Sequence, residues 1–259
     1  MLPCWMSSLE GTLALNEISI PATHDTMAKG VSACFQEGTG NIVFTQAWSL
    51  RTMLDAGVRA LDIRLRHEND VFTLEHGLFP LPYEFNEDVR DVLETFLADN
   101  PTETVIILYQ VNDLGPNTRT AEETLEESMA VNADLWLSGS TVPTLDEARG
   151  KIVLANDMSL LEQNEFEVEG FGGISAKKAL VRYFFSDGAP VSDTLRVNYL
   201  SGTGTNVHPL TIAAGLRGIF EGTNEVVFEF SEGCLGVVMI DYIGEDAIAH
   251  IVAQQVYMV

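Results

Sequence analysis

Val237-Val238-Met239-Ile240-Asp241 is a run of four apolar residues closed by a carboxylate, and it stands close to the end of a 259-residue chain. A short, β-branched run without polar alternation reads as a strand covered on both faces. Seven runs of similar kind precede it, at 17–20, 60–64, 72–75, 105–109, 152–155, 179–184 and 196–199. Apolar residues at helical spacing mark 50–55, 85–98, 121–131, 210–220 and 247–257. Eight strands with intervening helices predict an α/β fold, a single (β/α) barrel of TIM type, because the last strand arrives just before the last helix and can close on the first. An open doubly wound sheet is the competing architecture, but no Gly-rich phosphate loop follows a strand at the spacing its nucleotide-binding form requires. The second and third strands are separated by too few residues for a crossover helix, so the barrel is expected to be distorted there. Residues 170–173 and 201–204, rich in glycine, read as turns. With no compositional break, residues 1–259 are expected to form one domain.

Charge narrows the partners. Fourteen Lys+Arg stand against 38 Asp+Glu, a formal net charge of -24, and that field repels polyanions. Nucleic acid is therefore not an expected partner, and adsorption to anionic membranes is weakened. Neutral or zwitterionic surfaces and small substrates remain, and a monomer is expected. Trp5, Trp48 and residues 78–82 are candidates for an apolar rim that touches a membrane transiently. Cys4, Cys34 and Cys234 are too few and too scattered for a disulfide framework or a thiol-rich metal site. The first residues show neither the basic nor the apolar region of a secretory signal, and no run approaches the roughly 18 apolar residues of a membrane span, so the sequence reads as soluble as it stands, and a secreted protein whose signal has been removed would read the same.

The chemistry is read from strand ends. His24-Asp25 follows the first strand, Asp62 and Arg64 close the second, His76 ends the third, and Asp241 ends the eighth. In a parallel barrel these ends share one rim, where catalytic groups collect. Two imidazoles can divide the work of general base and general acid while an arginine holds an anion between them, which suits the breaking of a phosphoester. Asp241 is placed to orient His24, and Asp25 or Asp62 to orient His76. Each residue alone has a plainer role: Asp25 or Asp241 as a helix cap, Arg64 as half of a surface ion pair. Their joint occurrence at four strand ends is what points to a site. Asp25, Asp62, Glu75 and Asp113 offer oxygen ligands for a hard cation. Arg64, two residues after Asp62, already brings positive charge to that pocket, so no metal and no cofactor is expected. His67, His208 and His250 do not share the strand-end pattern.

The chain resembles the X-domain phosphodiesterases of the phosphatidylinositol-specific phospholipase C superfamily, the small bacterial type. The resemblance rests on Ile20-Pro21-Ala22-Thr23-His24-Asp25-Thr26, on Leu54-Asp55-Ala56-Gly57-Val58-Arg59 leading into Asp62-Ile63-Arg64, on His76-Gly77, and on Asn100-Pro101-Thr102-Glu103-Thr104-Val105. Glu147-Ala148-Arg149-Gly150-Lys151-Ile152-Val153-Leu154 and Val238-Met239-Ile240-Asp241-Tyr242-Ile243 continue it in family order over nearly the whole chain.

It implies a distorted TIM barrel that cleaves phosphatidylinositol, or a related phosphodiester, by attack of a substrate hydroxyl, releasing a cyclic phosphate and diacylglycerol. His24 would be the base on the inositol 2-hydroxyl, His76 the acid on the leaving oxygen, and Arg64 the phosphate contact. Asp241 would orient His24, Asp25 would support His76, and Asp62 would hold Arg64. The departures lie in the headgroup pocket. Gln110 stands where relatives carry a lysine, Asn156-Asp157 where they carry an arginine, and an ungapped placement puts Arg182 with Tyr183 or Phe184 at the positions that touch and stack on inositol. A non-inositol substrate, or a barrel that binds a phosphorylated headgroup without turnover, is the alternative these departures leave.

Overall fold

The computed structural model describes residues 1–30, 43–163, 170–187, 190–202 and 207–255. In chain order the strands are β1 Ile20–Thr23, β2 Ala60–Glu68, β3 Val71–His76, β4 Phe79–Glu84, β5 Val105–Asp113, β6 Trp136–Ser138, β7 Ile152–Leu154, β8 Ser159–Gln163, β9 Thr194–Tyr199, β10 Gly215–Leu216, β11 Phe220–Glu221 and β12 Val237–Ile240. The helices are α1 Leu50–Ala56, α2 Asp91–Asp99, α3 Ala121–Ala130, α4 Leu145–Ala148, α5 Gly170–Ser186, α6 Pro209–Ala214 and α7 Glu245–Ala253.

Eight strands run parallel in the order β6-β7-β5-β2-β1-β12-β9-β8. The last strand lies beside the first, as the barrel reading requires, with Ile20 opposite Val237 and Thr23 opposite Ile240. Residues from β2, β5, β8 and β9 line one cavity of about 200 Å³. The sheet therefore curls far enough for β8 and β9 to face β2 and β5 across a cavity, although no ladder between β6 and β8 is present among the described residues. The central strands β1 and β12 are buried throughout, and their side chains belong to a core cluster that also takes in Leu93, Phe96 and Leu97 of α2 and Ile248, Ile251 and Val252 of α7. Helix starts follow local capping chemistry. Ser49 accepts from the Thr52 amide, and Thr120 with Glu123 and Thr144 with Glu147 form reciprocal capping boxes.

Several sequence expectations shift. The first strand begins at Ile20 rather than ending there, because Leu15–Glu17 closes a 3-10 turn. Pro21 is tolerated inside it because the ladder to β2 begins only at Ala22, past the missing N–H. The third predicted strand is not a stave of the barrel. β3 pairs antiparallel with β2, and β4 pairs with β3, so they form an extension off the side of the parallel sheet.

Residues 179–184 are helical, not extended, and so are 170–173, which read as a turn. The buried residues of α5 are Ile174, Lys177, Val181 and Phe185, a spacing of three and four that belongs to a helix. β6 and β8, absent from the sequence reading, supply the missing staves. The helix expected over 210–220 stops at Ala214 and gives way to the β10–β11 hairpin. Cys34 and residues 203–204 lie outside the described residues, whereas Cys4 and Cys234 are free thiols. Trp5 is buried, with its indole N–H donated to the Gly57 carbonyl at 2.9 Å, and Trp48 packs against the core. Of the expected apolar rim, Leu78 and Phe79 are exposed.

Candidate active site

The β1–β12 ladder ends at Thr23 and Ile240, so the next residues of both strands emerge side by side. His24 and Asp241 are both buried there, with His24 Nδ1 2.8 Å from Asp241 Oδ1. On β2, Asp62 and Arg64 are two residues apart and share a face. The Arg64 guanidinium grips Asp62 with two bonds, Nε to Oδ1 at 2.8 Å and Nη2 to Oδ2 at 2.7 Å. It reaches Asp25 Oδ1 at 3.2 Å and donates from Nη1 to Gln110 Oε1 at 2.6 Å. Gln110 is its register partner on β5.

The hairpin brings the second imidazole back to this level. β2 runs on past Arg64 to Glu68, and β3 returns antiparallel with Leu74 opposite Leu65. Continuing that register sets His76 level with Ile63. His76 Nε2 lies 3.1 Å from Asp25 Oδ2, and its Nδ1 is bonded to the Val43 carbonyl. The same Asp25 oxygen lies 3.4 Å from His24 Nε2. Asp25 and Tyr242, the residues directly after His24 and Asp241, both adopt left-handed backbone, at φ 40° and 50°. Such conformations cost about 1–3 kcal/mol each and persist where neighbours hold them.

These contacts assign proton positions. A carboxylate only accepts, so Nδ1 of His24 carries a hydrogen towards Asp241, while its Nε2 faces Asp25 Oδ2 at 3.4 Å and Asp62 Oδ2 at 3.9 Å. Both nitrogens of His76 face acceptors, a carbonyl and a carboxylate. Burial pushes the Asp62 carboxyl above its ordinary value, with Arg64 pulling it down and Asp25 adding to the rise. Burial acts to lower Arg64, but the Asp62 and Asp25 charges outweigh it and hold the guanidinium above its usual value. The arrangement sets two imidazoles and two carboxylates around a fixed guanidinium, a geometry suited to proton transfers beside a bound anion.

A family model described as phosphatidylinositol-specific phospholipase C, X domain, matches residues 19–158. The chain belongs to that family. It is 27% identical to a 1-phosphatidylinositol phosphodiesterase of Listeria monocytogenes over 96% of this chain and 83% of the relative. It is 32% identical to a 1-phosphatidylinositol phosphodiesterase of Staphylococcus aureus over 60% of this chain and 50% of the relative. In fold it is similar to a solved variant of the phosphatidylinositol-specific phospholipase C of Staphylococcus aureus, with a TM-score of 0.82 at 22% identity over 97% of each chain. The solved Listeria monocytogenes phosphatidylinositol-specific phospholipase C gives 0.81 at 23% identity, covering 98% and 99%.

Within this X-domain chain, the expected headgroup contacts are placed unevenly. Gln110 lines the cavity beside Asp62. Asp157 is exposed next to it and adds, after burial, to raising the Tyr109 hydroxyl. Asn156 lines the cavity, but its amide is spent on the Tyr109 backbone, at 3.0 and 2.6 Å. Arg182, Tyr183 and Phe184 lie on α5 rather than on a rim strand, which corrects the ungapped placement. Arg182 pairs with Glu229 at 2.6 Å on the surface, Tyr183 is 73% exposed, and Phe184 underlies the Arg196 guanidinium at 4.4 Å.

The stave that takes their place is β8, and its Glu162 lines the cavity, with its carboxyl raised by burial and by the charge of Asp62. Tyr199 at the end of β9 completes the wall and stands edge-on to the His24 ring at 5.9 Å. Sequence reading missed both. The strand-end rule points to Tyr199, which closes the strand predicted over 196–199. His24, Asp25 and Asp62 are the one cluster among the described residues close enough to share a cation. Arg64 already sits on Asp25 Oδ1 and on both oxygens of Asp62, so a guanidinium holds the place a hard cation would need.

Proposed function

We propose that the chain is a phosphodiesterase that cleaves phosphatidylinositol by internal attack. The whole of residues 1–259 acts as one catalytic barrel. His24 Nε2 takes the proton of the inositol 2-hydroxyl, the freed oxygen bonds to phosphorus, and the bond from phosphorus to the diacylglycerol oxygen breaks as His76 Nε2 supplies a proton to it. The products are a cyclic 1,2-phosphate and diacylglycerol. Arg64 holds the phosphate oxygens, Asp241 orients His24, Asp25 supports His76, and Asp62 fixes Arg64. Internal attack removes the cost of recruiting a separate nucleophile, worth up to about 7–11 kcal/mol in well-oriented systems.

The observation that carries this reading is the convergence of two imidazoles on Asp25 beside Arg64, with Asp25 Oδ2 3.4 Å from His24 Nε2 and 3.1 Å from His76 Nε2. His24 is tied through Nδ1 to the Asp241 carboxylate, and His76 through Nδ1 to the Val43 carbonyl. Headgroup recognition falls to the cavity lined by Asp62, Gln110, Glu162 and Tyr199. Its polar lining is acidic or neutral, which suits hydroxyls of an uncharged ring. Relatives bearing the phosphodiesterase name support a lipid substrate, and a solved Staphylococcus aureus relative is described for its membrane binding.

Phosphorus NMR of phosphatidylinositol digests, with and without a chelator, tests substrate, cyclisation and metal together. The expected result is a cyclic phosphate signal that grows at the same rate in both. An open-chain phosphate as the first product removes the internal nucleophile, and activity lost on chelation gives Arg64's place to a metal. Headgroup binding without cleavage leaves a binding barrel.

A further inference from the structure

We propose that residues 43–46 are a positioning strap for the two imidazoles, and that Gln46 is the residue that holds His24 in line with Asp241. The inference rests on the reading of His24 as base and His76 as acid. All four residues of the segment bond to the site or to the residue beside it. The Val43 carbonyl accepts a hydrogen bond from His76 Nδ1. The Phe44 carbonyl accepts from the Tyr242 hydroxyl at 2.7 Å. The Thr45 hydroxyl donates to the Asp25 carbonyl at 2.9 Å, and its carbonyl accepts from the Tyr242 amide at 2.6 Å. Gln46 is 1% exposed, and its Nε2 donates to the His24 carbonyl and to the Ile240 carbonyl, each at 2.9 Å. The segment is itself anchored, with the Thr45 and Gln46 amides on the Ala28 carbonyl at 2.9 and 3.3 Å.

The two carbonyls that Gln46 joins lie where the β1–β12 ladder stops. One belongs to the base itself and the other immediately precedes the carboxylate that orients it. A single planar amide with two hydrogens therefore sets the spacing of these strand ends, and through it the 2.8 Å contact from His24 Nδ1 to Asp241. Asparagine is one methylene too short for the same reach, and glutamate would turn an acceptor towards two acceptors. The strap also explains how Asp25 and Tyr242 keep their left-handed backbone, since Thr45 bonds both of them.

Among the described residues Asp241, Asp25, Asp62 on β2 and Tyr199 on β9 face His24, and Gln46 acts on the Asp241 side. Gln46→Leu, of similar volume, is expected to lower kcat by ~30-fold or more with KM changed by less than ~3-fold, as when an interaction that matters in the transition state is lost. The acid limb of the kcat/KM profile should move to lower pH, because the imidazolium loses part of its carboxylate support. The downfield proton resonance of the His24 Nδ1–H should weaken or move.

In an Asp241→Asn background the same substitution should cost less than about 3-fold more, since a residue acting through another is non-additive with it. Equal losses in both backgrounds, or an unmoved profile in folded Gln46→Leu, overturn the proposal. If Gln46→Leu does not fold, Tyr242→Phe deletes only the hydroxyl on the Phe44 carbonyl. It should lower kcat by ~3–10-fold and shift the same resonance, again as a loss confined to the transition state; an unchanged rate and resonance there overturn the strap. Absence of turnover by the wild-type protein defeats the functional reading alone, because the resonance still reports on Gln46.

Discussion

Asp25 is shared by both imidazoles and by the guanidinium, so His24, His76 and Arg64 are not placed independently of one another. Replacing one should cost most where it carries a proton. His24→Ala should keep the fold and lose at least ~10²-fold in turnover, the lower end of what acid–base groups contribute. Near-wild-type initial rates on phosphatidylinositol micelles by a folded His24→Ala protein would sink the assignment. At this scale the sequence was legible wherever a residue's position followed from its own strand. His24, Asp62, Arg64 and Asp241 stand at the ends or on one face of parallel staves, where simple periodicity puts them on the rim, whereas His76 reaches it only through the antiparallel β2–β3 hairpin. Gln46 and Glu162 were not legible. Gln46 acts on a ladder formed by residues far from it in sequence, and Glu162 lies on a strand whose Ser-Leu-Leu-Glu-Gln composition carries no clear period.

Among the elements, β2 and β5 are each nine residues long and stay paired from Ala60 and Ile106 to His67 and Asp113, well beyond the rim. Their far end is clasped. Asp70, in the β2–β3 turn, accepts from the Thr118 amide at 2.7 Å, the Thr118 hydroxyl at 2.5 Å and the Arg119 amide at 3.0 Å. These bonds hold its carboxyl at about 2, below the ordinary 3.8. A depressed carboxyl stabilises the fold fully above its unfolded value and loses that contribution as pH falls through its folded one, so the clasp should weaken between pH 3.8 and about 2. Thermal melts of Asp70→Asn should lie below the wild type at pH 6 and converge with it near pH 2. A constant difference across that range would mean that the clasp does not titrate. The sequence misjudged α5 because its β-branched and aromatic residues suggested a strand, whereas the three-and-four spacing of Ile174, Lys177, Val181 and Phe185 pointed to the helix. Period outranks composition in that segment.

For the whole molecule, the closing of β12 on β1 followed from strand order, and a distortion after β2 from the short connection to β3, while the identity of the remaining staves did not. That β6 and β8 take their places depends on pairings with β7 and β9 that their own composition does not announce. The net charge of -24 acts at this scale too. Partition onto vesicles containing anionic lipid should rise as salt goes from ~10 to ~150 mM, because screening shortens the repulsion from a Debye length of ~30 Å to ~8 Å. Tighter binding at the lower salt, measured by vesicle sedimentation, would show a local attraction that outweighs the global field.

The β2–β3 hairpin has a further consequence, one of parity. His76 owes its level and its face to a count of residues up one strand and down the next. A pair of residues added across the turn, one to each strand, would lengthen the overhang and return His76 to its place. A single residue added to one strand would present it to the opposite face. Insertions and deletions in this hairpin are therefore constrained to even numbers if the acid is to stay in reach of Asp25, whatever the identity of the residues involved.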